Sequence, residues 1–397
     1  MVSFREALGL LMGEVKVLPT EKIRIEDATG RVLGQPILAD RDFPAFDRVM
    51  MDGYALRYAD WEKENRHFKV TGHAPAGMPC VPMTEEPGTC VEVMTGAPCP
   101  TGADAIIPVE ELAGVEGDGV RFHEAEVEVG QFIHRRGSDV NAGATVLEPG
   151  VLLGGREIGV AASCGAGWIE VSKLPRISVV ATGDELVGVD ETPEPHQIRQ
   201  SNAYALSSSL SGAGFPPMHV GVVCDDEEMA VAAIAEWLAT SDWVILTGAV
   251  SKGVRDFVPV VLSELGCRQV FHGVAQRPGK PAGCWIGPAG QIVMALPGNP
   301  VSAITGLHAF VLPALRKASG LTGENVRNVV LDDRAAGLEK MTLHLPVVIR
   351  PDGRAETAPT GNSGDFIGLL KSDGFVTLPP RGDSAGAPAA APFTAWL

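Results

Sequence analysis

The chain has 397 residues, 45% of them hydrophobic and 20% charged, which is the make-up of a folded protein of roughly two to four domains. Its 32 basic and 49 acidic residues leave a net charge of −17, which argues against a nucleic-acid or anionic-membrane surface. An anion can still bind such a chain, but only where cations and backbone N–H groups converge locally.

The first residues, MVSFREALGLLMGEV, lack the basic head, apolar run and cleavage site of a secretory leader. Residues 3–15 instead predict an amphipathic helix with Phe4, Ala7, Leu8, Leu11 and Met12 on one face. Residues 23–46 are short apolar runs broken by glycine and proline. A β-rich stretch follows, with strands predicted at 68–70, 90–93, 105–109 and 120–122 and a hairpin turn at Glu116-Gly117-Asp118-Gly119. Residues 140–171 are glycine-rich. From Lys173 the pattern alternates: strands at 176–181, 219–224, 242–246 and 292–296, helices at 200–212, 227–239 and 257–265, and a long helix from Pro300 to about Ser319. That alternation predicts parallel β-α-β units with right-handed crossovers. After Gly320 the chain turns β-like again, at 343–349 and 375–378, predicting a small C-terminal β-barrel. Residues 382–392 read as a solvated loop before a last strand. No apolar stretch reaches the roughly 18 residues of a membrane span.

The seven cysteines form no C-x-x-C pair and are odd in number, so they read as reduced thiols of a cytoplasmic protein. The histidines are scattered, and no H-x-x-x-H suggests a zinc-protease type of site.

In an open parallel sheet, ligands sit beyond the carboxyl ends of the strands. Four motifs fall there: TGDE at 182–185, CDD at 224–226, LTGAVSKGVRD at 246–256 and LPGNPVSA at 296–303. Thr-Gly turns let backbone N–H groups approach a phosphate. Asn299 before Pro300 is a helix start whose N–H groups and positive dipole end favour an anion. Glu185, Asp225 and Asp256 have the chemistry to hold a divalent cation that bridges phosphate oxygens. Lys252, Arg255, Arg277 and Lys280 can neutralise an oxyanion. Each feature has a plainer reading: a TG or PGNP turn is commonly only a turn, Asp225 or Asp226 a helix cap, and Lys252 and Arg255 solvated charges. Four such motifs at four successive strand ends make the functional reading the stronger one.

The chain also resembles a known family. Phe46-Asp47, Met51-Asp52-Gly53-Tyr54-Ala55, MTGAP (94–98), RRGSD (135–139), ATGDEL (181–186), TGAVS (247–251), RPGKP (277–281) and LPGNPVSA (296–303) occur in the order seen in molybdopterin molybdenumtransferases, the family that includes the gephyrin E domain. M-D-G-Y-A with P-G-N-P-V-S separates this family from single-domain molybdopterin adenylyltransferases. The resemblance implies a multidomain α/β plus β fold: an N-terminal linker domain from 1–46 and 140–174, an inserted β-rich domain at 47–139, a central parallel-sheet molybdopterin-binding domain at 175–320, and a C-terminal β-barrel at 321–397. It implies a reaction in which molybdate is inserted into adenylylated molybdopterin with release of AMP and a divalent cation such as Mg²⁺. In that reading Glu185, Asp225 and Asp256 hold the cation and Lys280 acts on molybdate. Thr182, Gly183, Asp184, Asn202, Thr247, Gly248, Ser251, Lys252, Arg277, Pro297, Gly298, Asn299, Pro300 and Ser302 bind substrate, and no protein nucleophile is needed. It further implies a homodimer in which Asp52, Thr95, Arg135 and Asp139 reach the partner's site. Molybdopterin adenylyltransferase and molybdoenzyme apoproteins follow as possible partners.

The chain departs from the family pattern in places. Gln200-Ser201-Asn202 stands for D-S-N, Arg277 for the first lysine of K-P-G-K-P, Ala249 for a glycine and His134 for the first of a basic triplet. No arginine falls near 343–347, where the family has one near molybdate, and Asn362-Ser363-Gly364-Asp365 brings a carboxylate that would repel an oxyanion. Those departures define a competing reading, a diverged carrier or scaffold that binds the pterin without transferring metal. A third reading is a hydrolase of nicotinamide nucleotides on the same α/β domain.

Overall fold

The computed structural model describes residues 1–223, 227–248, 257–323, 326–331, 337–358, 362–381 and 390–397. They fall into two compact units, one of Met1–Gly34, Pro149–Gly154 and Trp168–Leu397, the other of Gln35–Glu148 and Gly155–Gly167.

The first unit is organised by a six-stranded sheet in the order His219–Val223, Ile177–Thr182, Trp243–Thr247, Ile292–Leu296, Gly283–Ile286, Arg268–His272. The first four run parallel, and the last two are antiparallel. The expected parallel strands form the core of the sheet, and two antiparallel pairings at one edge make it mixed. Its antiparallel edge is built from two short strands that the sequence pattern does not announce. The edge strand His219–Val223 is mostly exposed, whereas the three inner parallel strands are buried on both faces and largely apolar. The pleat divides them: Ile177, Val179, Ala181, Ile245 and Met294 face one core, with helices Asn202–Gly212 and Pro300–Gly306. Val180, Val244, Leu246, Val293 and Ala295 face the other, under helices Glu227–Thr240 and Val258–Glu264.

The N-terminal helix Phe4–Glu14 covers the first face, and Ala7 and Leu11 are fully buried there. Ser3 and Glu6 form a capping box, each side chain accepting the other's backbone N–H, which stabilises the helix start by about 1 kcal/mol. The long helix after Pro300 runs to Ala318 but loosens to a π turn at Leu307–Val311. Pro313 follows one residue into the next segment and cannot donate to the ladder. Thr305 and His308 side chains also donate to the carbonyls of Val301 and Ile304 four residues back.

The C-terminal β-structure is a small barrel. Thr342–Ile349, Gly374–Leu378, Ala390–Ala395 and Asn328–Val330 pair in that order, and Ala355–Thr357 pairs with Thr342–Ile349. A single bridge between Leu331 and Ala355 closes the ring. Its last strand begins at Ala390, inside the segment read as a loop. Strand Val274–Arg277 leaves the α/β region and adds in parallel to the barrel strand Thr342–Ile349, with Gln276 opposite Thr342 and Arg277 opposite Leu343. The glycine-rich stretch also holds more structure than its composition suggests: Trp168–Ser172 pairs with Thr20–Arg24.

The second unit centres on another six-stranded mixed sheet, ordered Ala105–Pro108, Gly53–Leu56, Thr89–Val93, His67–Ala74, Gly119–Phe122, Leu112–Glu116. The M-D-G-Y-A segment enters a fully buried inner strand at Gly53–Leu56, whose apolar side chains alternate between two cores, while Asp52 just before it stays exposed. The expected hairpin turn joins its last two strands. The helix Gly155–Ser163 completes this unit.

Candidate functional site

Among the parallel strands, the chain order reverses between Ile177–Thr182 and Trp243–Thr247, where crossovers leave in opposite directions and a crevice opens. The carboxyl ends are level there: Ala181 lies opposite Thr247, and Thr247 opposite Leu296. A cavity of about 1010 Å³ lies beyond them.

Thr182, Gly183, Glu185, Asn202, Thr247, Gly248, Arg277, Lys280, Pro297, Gly298, Asn299, Pro300 and Ser302 all line this cavity. Asp184 is exposed and is not among its lining residues. Asp225, Ser251, Lys252, Arg255 and Asp256, with Ala249 and Asp226, lie outside the described residues. Asp52, Thr95, Arg135 and Asp139 belong to the second unit.

The two Thr-Gly turns touch. Gly248 has φ +102°, and a β-carbon there would lie 2.4 Å from the carbonyl oxygen of Thr182, so only glycine fits. Asn202 opens its helix with the side chain turned inward, donating to Thr247 Oγ1 at 3.0 Å and to the Gly298 carbonyl at 2.7 Å. Thr247 in turn donates to the Pro297 carbonyl at 3.0 Å. Three turns are thus tied into one floor. Thr182 Oγ1 and Gln200 Oε1, both from cavity-lining residues, are buried without a protein partner, a cost that folded proteins seldom carry outside functional sites.

At Asn299 the helix start is shared with the barrel. The N–H of Val301 donates to the Ser363 carbonyl at 3.2 Å, and Asn299 Nδ2 donates to Ser363 Oγ at 3.1 Å. The anion cradle expected there is therefore partly filled by the chain itself. The repulsion expected from Asp365 is not realised. Its carboxylate accepts the Gly368 N–H at 2.9 Å as the cap of helix Phe366–Leu369, and Asn362 and Ser363 line the cavity instead.

The barrel contributes Leu343, His344, Leu345 and Pro346 to the cavity wall, so this strand brings no cation. Positive charge at the described wall comes from Arg199, Arg277 and Lys280. Glu185 is the one carboxylate among the described lining residues. No group of three His, Cys, Asp or Glu among the described residues is placed to hold a metal. Gln276 and His344 were not singled out from the sequence. Gln276 stands immediately before R-P-G-K-P, but His344 lies 68 residues away and no local pattern marks it.

In the second unit, Asp52 Oδ1 accepts both the backbone N–H and the hydroxyl of Thr95 at 2.7 Å, and these bonds hold its carboxyl below the usual range. Arg135 donates to Asp47 at 2.6 Å. His134 pairs through Nε2 with Asp139 at 2.7 Å while Nδ1 faces Arg48 at 3.0 Å, so Nδ1 accepts and Nε2 donates.

The profile described as "MoeA N-terminal region (domain I and II)" matches residues 2–165, and "Probable molybdopterin binding domain" matches residues 178–317. The chain is similar to the molybdopterin molybdenumtransferase of Synechocystis, at 36% identity over 397 residues and 100% of both chains. It is similar to that of Synechococcus elongatus at 34% identity over 404 residues and 98% of both chains. Among solved structures, the molybdopterin biosynthesis moeA protein of Pyrococcus horikoshii matches with a TM-score of 0.84, 28% identity and 100% of both chains covered. No described helix is long and apolar enough to cross a membrane.

Proposed function

The chain belongs to the MoeA family of molybdopterin molybdenumtransferases, and from that premise we propose that its cavity takes adenylylated molybdopterin and molybdate together. As a member it is a transferase of molybdenum cofactor biosynthesis.

The observation that carries the reading is convergence. The turns at Thr182-Gly183, Thr247-Gly248 and Pro297–Pro300 share one cavity of about 1010 Å³ with Arg277 and Lys280. Ligand pockets commonly run from about 300 to 1000 Å³, so this one suits a substrate as large as a nucleotidyl pterin. The Gly183 and Gly248 N–H groups are held by the Val223 and Leu296 carbonyls, so the unpartnered Thr182 hydroxyl is the donor these turns offer the phosphates, and Asn202 keeps the turns in register. Lys280 and Arg277 neutralise the oxyanion and orient it toward the dithiolene. The Leu343–Pro346 wall keeps bulk water away from the transfer.

Glu185 would hold a divalent cation, for which a hard carboxylate oxygen beside phosphate oxygens is a fitting donor. Bound there, a cation would supply positive charge against the phosphate oxygens.

The active form in this reading is a homodimer, each cavity completed by Asp52, Thr95, Arg135 and Asp139 of the partner. The exposed positions of Asp52, Thr95, Arg135 and Asp139 support it.

The test supplies purified protein with adenylylated molybdopterin, Mg²⁺ and molybdate, then measures AMP and pterin-bound molybdenum. Stoichiometric appearance of both is expected. Pterin binding without either product would favour the carrier reading, which the cation-free strand Leu343–Pro346 motivates. Turnover of nicotinamide nucleotides without molybdate would favour the hydrolase.

A further inference from the structure

We propose that His344 is a positioning residue for the oxyanion subsite, acting through Gln276 on the turn that carries Arg277 and Lys280. The proposal rests on the reading that those two cations hold molybdate.

Both side chains are buried, each about 1% exposed, yet they belong to different parts of the unit, His344 to the barrel strand and Gln276 to the strand that joins it. Gln276 Nε2 donates to the Gly279 carbonyl at 3.1 Å. The amide is therefore oriented, and its Oε1 is left as an acceptor 3.2 Å from His344 Nε2. The proton of the imidazole sits on Nε2, and Nδ1 accepts from the Thr377 hydroxyl at 3.1 Å. Phe4 and Phe375 meet the imidazole edge-on, with centroids at 4.8 and 5.4 Å, so the ring has one orientation and a neutral surrounding.

The relay ends on the turn itself. Gly279 has φ +91°, and a β-carbon there would lie 2.8 Å from Gln276 Nε2, so the amide occupies the space beneath the turn. Its carbonyl takes a second bond from the Ala282 N–H at 3.1 Å, and the Lys280 carbonyl takes the Val274 N–H at 2.8 Å. The backbone that aims Arg277 and Lys280 is thereby fixed from below. This matters more here because the barrel strand facing the cavity offers no cation of its own. An apolar replacement of His344 would leave Gln276 Oε1 buried without a donor, and the amide would leave Gly279 to find one.

The experiment compares full-length His344→Phe, His344→Gln, Gln276→Leu and Lys280→Ala. It measures kcat, the half-saturating molybdate concentration at saturating nucleotide, nucleotide affinity and Tm. His344→Phe and Gln276→Leu should raise half-saturating molybdate by about tenfold or more, with nucleotide affinity unchanged. His344→Gln, which can still donate to Gln276 and accept from Thr377, should recover most of the loss. A lowered Tm with unchanged molybdate dependence in Gln276→Leu, or His344→Gln as impaired as His344→Phe, overturns the relay. If Lys280→Ala leaves molybdate dependence intact, the assignment of the oxyanion to this turn fails first and takes the proposal with it. Gln276→Leu decides the matter should His344→Phe not fold.

Discussion

Asn202 Nδ2 donates to Thr247 Oγ1 at 3.0 Å, tying the start of one crossover helix to the end of the strand three elements further on. The same amide reaches the Gly298 carbonyl, 96 residues away in the chain. The strands beneath already pair Thr247 with Leu296, and the Gly248 N–H donates to the Leu296 carbonyl at 3.1 Å; the Asn202 side chain adds the tie from these two turns to the helix start. Asn202→Ala removes both bonds at once. At about 0.5–1.5 kcal/mol for each, the expected loss of nucleotide affinity is about tenfold or somewhat more. Titration calorimetry with adenylylated pterin would measure it, and an unchanged Kd would mean that the turns hold their spacing without Asn202.

Glu185 offers a second point of control. It stands at the mouth of the Thr182-Gly183 turn, and its backbone carbonyl accepts the Ile198 N–H at 2.8 Å, which fixes where the side chain starts. Glu185→Gln keeps the shape and deletes the charge. AMP release at fixed Mg²⁺ is expected to fall by about a hundredfold, the scale of losing one charge-stabilising group at a reacting centre, and to recover partly as Mg²⁺ is raised. Wild-type rates at every Mg²⁺ concentration would leave Glu185 as a lining residue only.

How much of this was legible in the residues depends on how local the cause is. The Thr-Gly turns and the P-G-N-P helix start declare themselves because their chemistry is contained in two to four neighbours. The inner parallel strands show because burial on both faces makes them largely apolar, as at Ile292–Leu296. Arg268–His272 begins with exposed polar residues and pairs with Gly283–Ile286 across a turn-rich segment, so no period betrays it. His344 reads as one residue of a barrel strand until the fold sets it beside Gln276. Asp365 misleads in the opposite direction, since its helix-capping bond to Gly368 is decided by a backbone bend rather than by residue type.

The dimeric reading makes a sharp demand. If Asp52 serves the partner's cavity and Lys280 its own, Asp52→Ala and Lys280→Ala homodimers should each be nearly inactive. A mixture refolded or co-expressed together should regain activity, because a heterodimer has one cavity with neither defect. Random pairing makes half the dimers mixed, with one good site of two, so about a quarter of wild-type activity is expected. The lowered carboxyl of Asp52, set by its two bonds from Thr95, means it would act as an anion at neutral pH. No recovery in a mixture shown to contain heterodimers would place both residues in the same protomer's site, or Asp52 in none.

Acid should weaken the first unit before its carboxylates titrate. Burial pushes His308 from 6.5 down to about 4 and His344 from 6.5 down to about 3. Both are neutral in the folded chain, and His308 also donates from Nδ1 to the Ile304 carbonyl. In the unfolded chain each takes up a proton near pH 6.5, whereas the folded chain resists it until about pH 4 at His308 and about pH 3 at His344. Unfolding therefore gains protons over that interval, so stability is full above pH 6.5 and falls as pH drops toward 4. The slope approaches about 1.4 kcal/mol per pH unit for each histidine. Carboxylates of that unit held low by hydrogen bonds, such as Glu6 beside Ser3, contribute only below their ordinary value of 4.5. Urea unfolding at pH 7, 6, 5 and 4.5 should show a shallower decline for His344→Gln than for the unaltered chain, and a similar flattening for His308→Gln. Parallel curves for all three proteins would show that neither imidazole is the group whose protonation drives the loss.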